Sequence, residues 1–241
     1  MSGSESILSY LCESQLSGHA TSAHPVWLWS ADGTQILWAN AAGAAIFGAD
    51  NSAALLSIRF DPGQPVAAQI ARLAATLPAG GAPRLERLRG FGASLGRTLV
   101  CACSSLVLSE RSGVLVVASE LAGPNLALSE RVRRLIAGNG GAIAAFAPED
   151  GLIYASPAAA PLLNTKNSLA ALGARELAAA ALESGRARGA GVSGEITIVR
   201  LGDGANRVLL VAFSDLNAAF EQSHSQSANS IASDPERAVE P

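Results

Sequence analysis

Val26-Trp-Leu-Trp-Ser-Ala-Asp-Gly-Thr-Gln-Ile-Leu-Trp-Ala-Asn-Ala-Ala-Gly-Ala-Ala-Ile-Phe-Gly48 is the stretch on which the reading of this chain turns. Two short runs of β-forming residues flank Asp32-Gly33, a dipeptide favoured in tight hairpin turns. The first run, Pro25 to Ser30, sets Trp27 and Trp29 on one face, because side chains alternate along a strand. The second, Thr34 to Ala39, is the return strand, and strict alternation puts Trp38 and Ile36 on a shared face. Asn40 then opens an Ala-rich segment that closes at Phe47-Gly48. Asn is a favoured N-cap and Gly is favoured just past a helix end, so the hairpin passes directly into a short helix.

Downstream, Pro65 to Leu77 has Val66, Ile70, Leu73 and Leu77 at helical spacing, with Pro65 in the first turn and Pro78 as the stop. Three β-like runs follow: Leu85–Arg89, Arg97–Leu108 and Gly113–Leu121, the last two joined by a turn at Ser109–Gly113. The pattern then restarts. Asn125 to Ala137 reads as a helix, with Asn125 as a cap, Arg131, Arg133 and Arg134 as a solvated face, and Gly138 as the stop. Ala142–Ala147 and Leu152–Ala155 flank Glu149-Asp-Gly151, and Ser156-Pro157 opens a second Ala-rich helix. Asp32-Gly33 aligns with Asp150-Gly151, and Ile36–Phe47 aligns with Leu152–Leu163. Leu169–Glu183 reads as a further helix, and the strands Glu195–Arg200 and Arg207–Phe213 flank a turn at Gly202-Asp-Gly204. The second copy shows fewer strands than the first. The chain is a diverged tandem repeat with a period of about 117 residues.

Composition bounds the function classes. The 241 residues are 49% hydrophobic but only 15% charged, against about 25% charged in an average domain. That apolar content excludes disorder of the whole chain, and the length fits one large domain or two small ones. With a net charge of −3 and no basic stripe, nucleic acid is not an expected partner. No segment reads as a membrane span or as a signal peptide. Three cysteines, Cys12, Cys101 and Cys103, do not make a disulfide framework, and a reducing, cytoplasmic setting is expected. Residues 1–23 read as a flexible arm and 216–241 as a disordered tail.

The hairpin with aromatics, the Asp-Gly turn, the step Trp38-Ala-Asn-Ala-Ala42 into a helix and the later antiparallel strands resemble the PAS domain. The resemblance implies an α+β fold: two tandem PAS-like domains, 24–121 and a degenerate 140–215, joined by a linker helix over 122–139. Each would be an antiparallel five-stranded sheet with helices on one face. More narrowly, the chain resembles the N-terminal sensory region of alphaproteobacterial sensor histidine kinases of the cell-cycle type. This implies a non-catalytic sensory and dimerisation module of two-component phosphorelay signalling. Its partners would be a second copy of itself and kinase or response-regulator components. A phosphoacceptor His followed by an acidic residue is missing, since His19 precedes Ala20, His24 precedes Pro25 and His224 precedes Ser225. No Asp-x-Gly-x-Gly box is present either, so kinase activity is not expected of this chain.

PAS relatives that carry haem hold it with a His on a long helix, and Pro65–Leu77 and Leu169–Glu183 contain none. The Asn-Cys-Arg-Phe-Leu type of flavin segment is also absent, so no cofactor is expected. The residues that remain for a ligand are Trp27, Trp29, Trp38, Cys101 and Cys103. The aromatics read first as core mass and second as a pocket lining that would make the chain a small-molecule or redox receptor. Cys101 and Cys103 point to one strand face, roughly 7 Å apart along it. Two thiols fall short of the four ligands of a structural zinc site, so packing is favoured over metal or redox chemistry. Leu128, Val132, Leu135 and Ile136 form an apolar stripe. It packs on its own domain or pairs with a second chain, and pairing is preferred.

Overall fold

The computed structural model describes residues 10–91, 98–108 and 111–213. It contains two antiparallel five-stranded sheets. In the first, β1 (Val26–Ser30), β2 (Ile36–Ala39), β3 (Arg84–Arg89), β4 (Thr98–Leu108) and β5 (Arg111–Ala118) lie in the order β2-β1-β5-β4-β3. In the second, β6 (Ile143–Phe146), β7 (Leu152–Ala155), β8 (Arg186–Gly191), β9 (Gly194–Leu201) and β10 (Val208–Phe213) lie in the order β7-β6-β10-β9-β8. Counted within each sheet, the two orders are the same.

The opening hairpins match residue by residue. Leu28 pairs with Trp38 and Trp29 with Ile36, which leaves Leu37 unpaired as a β-bulge. Ala145 pairs with Tyr154 and Phe146 with Leu152, which leaves Ile153 in the same position. A bulge inserts one residue and so reverses the alternation of faces beyond it. Strict alternation fails here for that reason. Ile36 joins the core under the helices, and Trp38 points to the opposite face of the sheet.

Seven helices accompany the sheets among the described residues: α1 (Ser14–Ser17), α2 (Ala41–Ile46), α3 (Ser52–Leu56), α4 (Pro65–Thr76), α5 (Leu128–Ile136), α6 (Ala160–Leu163) and α7 (Arg175–Ser184). Sequence periodicity misses α3, although Asn51 caps it by accepting a hydrogen bond from the N–H of Ala54 at 2.8 Å. It also starts two helices early: α5 begins at Leu128 rather than Asn125, and α7 at Arg175 rather than Leu169. The strand β8, Arg186-Ala-Arg-Gly-Ala-Gly191, carries no β signal. It pairs with β9 along its length, and Gly189 lies close under α7, where a Cβ would meet the end of the Leu177 side chain at 2.9 Å.

Two of three hydrophobic clusters lie between a sheet and its own helices. One gathers Trp27, Trp29, Ile36, Leu55, Ile70, Leu73, Cys101 and Cys103, and the other Phe146, Leu163, Leu172, Ile198, Leu209 and Val211. The third lies between the two sheets. Val26, Leu28, Trp38, Leu106 and Leu115 from the first sheet meet Ile143, Ala145, Val199, Leu201, Val208 and Leu210 from the second. Residues 10–20 and α5 are inserted into this layer. Tyr10, Leu11, Leu16 and Ala20 are all buried there, so the expected flexible arm is, from residue 10 onward, part of the core. It is ordered because each sheet turns an apolar back to the other, and these side chains fill the gap. The C-terminal tail lies outside the described residues.

Polar bonds fasten the same layer. The N–H of Gly202 donates to the Ser17 carbonyl at 2.8 Å, and Thr21 Oγ1 donates to the Asn206 carbonyl at 2.6 Å. Gly202 has φ of +69°, and a side chain there would run into Thr21 and Asn206.

Candidate functional site

The region a ligand would enter is the space between the first sheet and its helices. β1 turns Trp27 and Trp29 into it, and both are fully buried. Trp27 stacks at 4.7 Å on Phe91, Trp29 at 4.7 Å on Phe60, and Phe47 stands within 6.2 Å of each of these four rings. Trp27 Nε1 donates to the Gly43 carbonyl of α2 at 3.0 Å, whereas Trp29 Nε1 is buried without a partner among the described residues. Five aromatic rings therefore occupy the interior of the first unit. Three of them, Phe47, Phe60 and Phe91, are dispersed in the sequence and lie on loops or helix ends, with no periodicity to mark them.

Cys101 and Cys103 share this face. Cys103 is opposite Val116 on β5, and Val116 is opposite Trp27 on β1, so thiol and indole belong to one row across the sheet. Burial pushes both thiols up to about 12. Burial thus disfavours the thiolate, the nucleophilic form, at both positions. Cys103 Sγ donates to the Cys101 carbonyl at 3.8 Å. Trp38 stands apart from the other four residues of the expected ligand set. It lies on the far face of the sheet, in the layer between the two units.

The apolar stripe of α5 is also placed. Val132, Leu135 and Ile136 are each about 1% exposed, and Leu128 packs at the edge of the same layer. The stripe faces the chain's own two sheets, the alternative to the preferred pairing with a second chain. The physical reason is the tandem arrangement: the second unit's sheet, covalently tethered, takes the position a partner would take. Arg131 departs from expectation in the same way. Arg133 and Arg134 form the solvated side of α5, held by Glu130 at 2.6–2.7 Å, but Arg131 is buried.

Each unit is tied at the hairpin-to-helix step by one side chain. Asn40 Oδ1 accepts from the N–H of Val26 at 3.1 Å and of Gly43 at 2.8 Å, while Nδ2 donates to the carbonyls of His24 at 2.8 Å and His19 at 3.1 Å. The expected N-cap is thus also the brace that holds residues 19–24 to the sheet. An open groove of about 710 Å³ lies outside the first unit, between α4 and the β3 edge, where Arg72, Arg87 and Arg89 gather. Gln69 closes one end of that edge, donating to the Arg89 carbonyl at 3.1 Å.

Comparison with known proteins gives a match to the PAS domain family over residues 20–78, the segment that holds the hairpin, Asn40 and α2 to α4. No curated protein matches the chain. Among solved structures, an extracellular ligand binding receptor from Desulfohalobium retbaense DSM5692 is 15% identical, over 78% of this chain and 29% of that one, with a TM-score of 0.25. The chain spans under a third of that receptor's length. So low a score carries no argument about fold or function.

Proposed function

We propose that this chain is a non-catalytic sensory and interaction module of two PAS-type units, acting in the cytoplasm within two-component phosphorelay signalling. The match to the PAS domain family over residues 20–78 supports reading the first unit as a sensory module. The repeated strand order, the repeated bulge and the repeated hairpin support reading the second unit as a diverged copy.

The observation that carries the reading is the hydrophobic layer shared by the two sheets. Close-packed interiors transmit displacement rather than absorb it. A change at one unit's back face therefore moves α5 and the other unit together. The five rings inside the first unit favour a role in protein contacts over that of a receptor taking a ligand beside Trp27 and Trp29.

Cross-linking in the native cell followed by mass spectrometry tests the proposal. Partners that carry histidine-kinase or receiver domains support it. ATP-dependent self-phosphorylation of the purified chain, or partners of no signalling class, overturns it. A native mass spectrum showing a reproducible adduct released by denaturation would favour the receptor instead.

A further inference from the structure

Arg131 is only 7% exposed, and among the described residues no carboxylate pairs with it. Its Nη2 donates to Asn206 Oδ1 at 2.8 Å, and its Nε is buried with no hydrogen-bond partner among the described residues. A buried guanidinium without a counter-charge is far costlier than a buried neutral group, so the position calls for an anion. Glu130, the adjacent acid, is committed to Arg133 and Arg134.

A cavity of about 180 Å³ lies beside Arg131. Arg131 lines it together with Ala23, Ala42 and the 121–126 stretch. The same end of the cavity wall leads into α5, whose N-cap, Ala127, offers no side-chain acceptor to the first-turn N–H groups. Helical side chains lean toward the N-terminus, so Arg131 and the positive end of the helix lie at the same end of α5. Pockets for drug-sized ligands run from about 300 Å³ upward, and this one admits only a small molecule.

We propose that this cavity binds a small oxyanion, a carboxylate or phosphate group, with Arg131 as its charge partner. The planar guanidinium matches either group through paired hydrogen bonds. The place matters as much as the chemistry. Ala23 and Ala42 belong to the first unit, and Arg131 reaches Asn206 between β9 and β10 of the second. An anion held here bears on both units at once, whatever proteins the chain signals to.

Isothermal titration calorimetry of the full 241-residue chain tests this, in oxyanion-free buffer with sodium phosphate, sodium acetate or sodium chloride at matched ionic strength. One saturable site is expected for phosphate or acetate, with chloride at least tenfold weaker. Binding of phosphate alone assigns a phosphoryl group, and binding of acetate alone assigns a carboxylate. Arg131→Gln should abolish the site. Asn125→Asp, at an exposed lining position, puts a negative charge beside it and should weaken binding at least tenfold even if the Arg131 variant fails to fold. No saturable binding of either oxyanion, equal binding of chloride, or affinity unchanged in Asn125→Asp would overturn the proposal.

Discussion

Asn40 and Ser156 hold the same place in the two units and make the same two bonds. Each side-chain oxygen accepts from the N–H near the start of its unit's first strand, Val26 at 3.1 Å and Ile143 at 3.0 Å. Each also accepts from the N–H three residues on, Gly43 at 2.8 Å and Ala159 at 3.2 Å. The relationship survives the change from Asn to Ser because the acceptor oxygen does the fastening. What Ser156 lacks is the amide nitrogen with which Asn40 braces residues 19–24, and it donates instead to the Gly141 carbonyl at 2.9 Å.

Asn40→Ala should therefore lower stability by about 3 kcal/mol, since it strips a helix cap and leaves buried N–H and carbonyl groups unpaired. Asn40→Ser keeps the acceptor and should cost about half as much. Urea denaturation of the two variants checks the order, and an Asn40→Ser variant as damaged as the alanine would refute the assigned roles.

The Trp29 indole N–H has no hydrogen-bond partner among the described residues, so the side chain contributes through packing. Trp29→Ala should cost about 4 kcal/mol through the cavity left against Phe47, Phe60 and Phe91. Trp29→Phe should cost less than half of that. Both are read by chemical denaturation, with near-ultraviolet circular dichroism reporting the loss of the aromatic cluster.

Cys101 and Cys103 should resist Ellman's reagent at pH 8 in the native protein and react once it is denatured. Their thiols titrate at about 12 when folded, against an ordinary value of 9 when unfolded. Between those values the unfolded chain gives up protons that the folded chain keeps. Stability is fully present below pH 9 and is lost as pH rises toward 12, by up to about 1.4 kcal/mol per pH unit for each thiol. The Cys101→Ala, Cys103→Ala double variant should flatten that fall.

Gly202→Ala places a side chain against Thr21 and Asn206 at a φ of +69°, and should cost about 2 kcal/mol. The damage should be local first. Hydrogen exchange of the Gly202 amide, and of amides in residues 16–22, should accelerate at least tenfold. Unchanged exchange would show that this turn does not hold the N-terminal segment.

Because Leu210 and Leu28 belong to one layer, the two units should melt together. Calorimetry of the intact chain is expected to give a single transition, and Leu210→Ala should lower it as a whole by several degrees. Two separated transitions would show that the shared layer does not couple the units.

What could be read from the chain alone was whatever is local. Asp32-Gly33 and Asp150-Gly151 announce hairpins, Asn40 announces a cap, and Pro65 to Leu77 announces a helix, because turn geometry, capping and periodicity are encoded within a few residues of each other. The likeness of Ile36–Phe47 to Leu152–Leu163 anticipated the matching hairpins for the same reason. Tertiary structure decided everything that depends on which surface meets which. A bulge of one residue sent Trp38 away from Ile36, pairing with β9 made a strand of glycine-rich Arg186–Gly191, and the second sheet occupied the face where the stripe of α5 was expected to meet another chain. It also carried Arg131, by sequence one of three surface arginines, into the interior. An amphipathic pattern specifies that a face is covered. The cover itself is chosen by the free energy of burying distant apolar surfaces together, and that is a property of the whole chain.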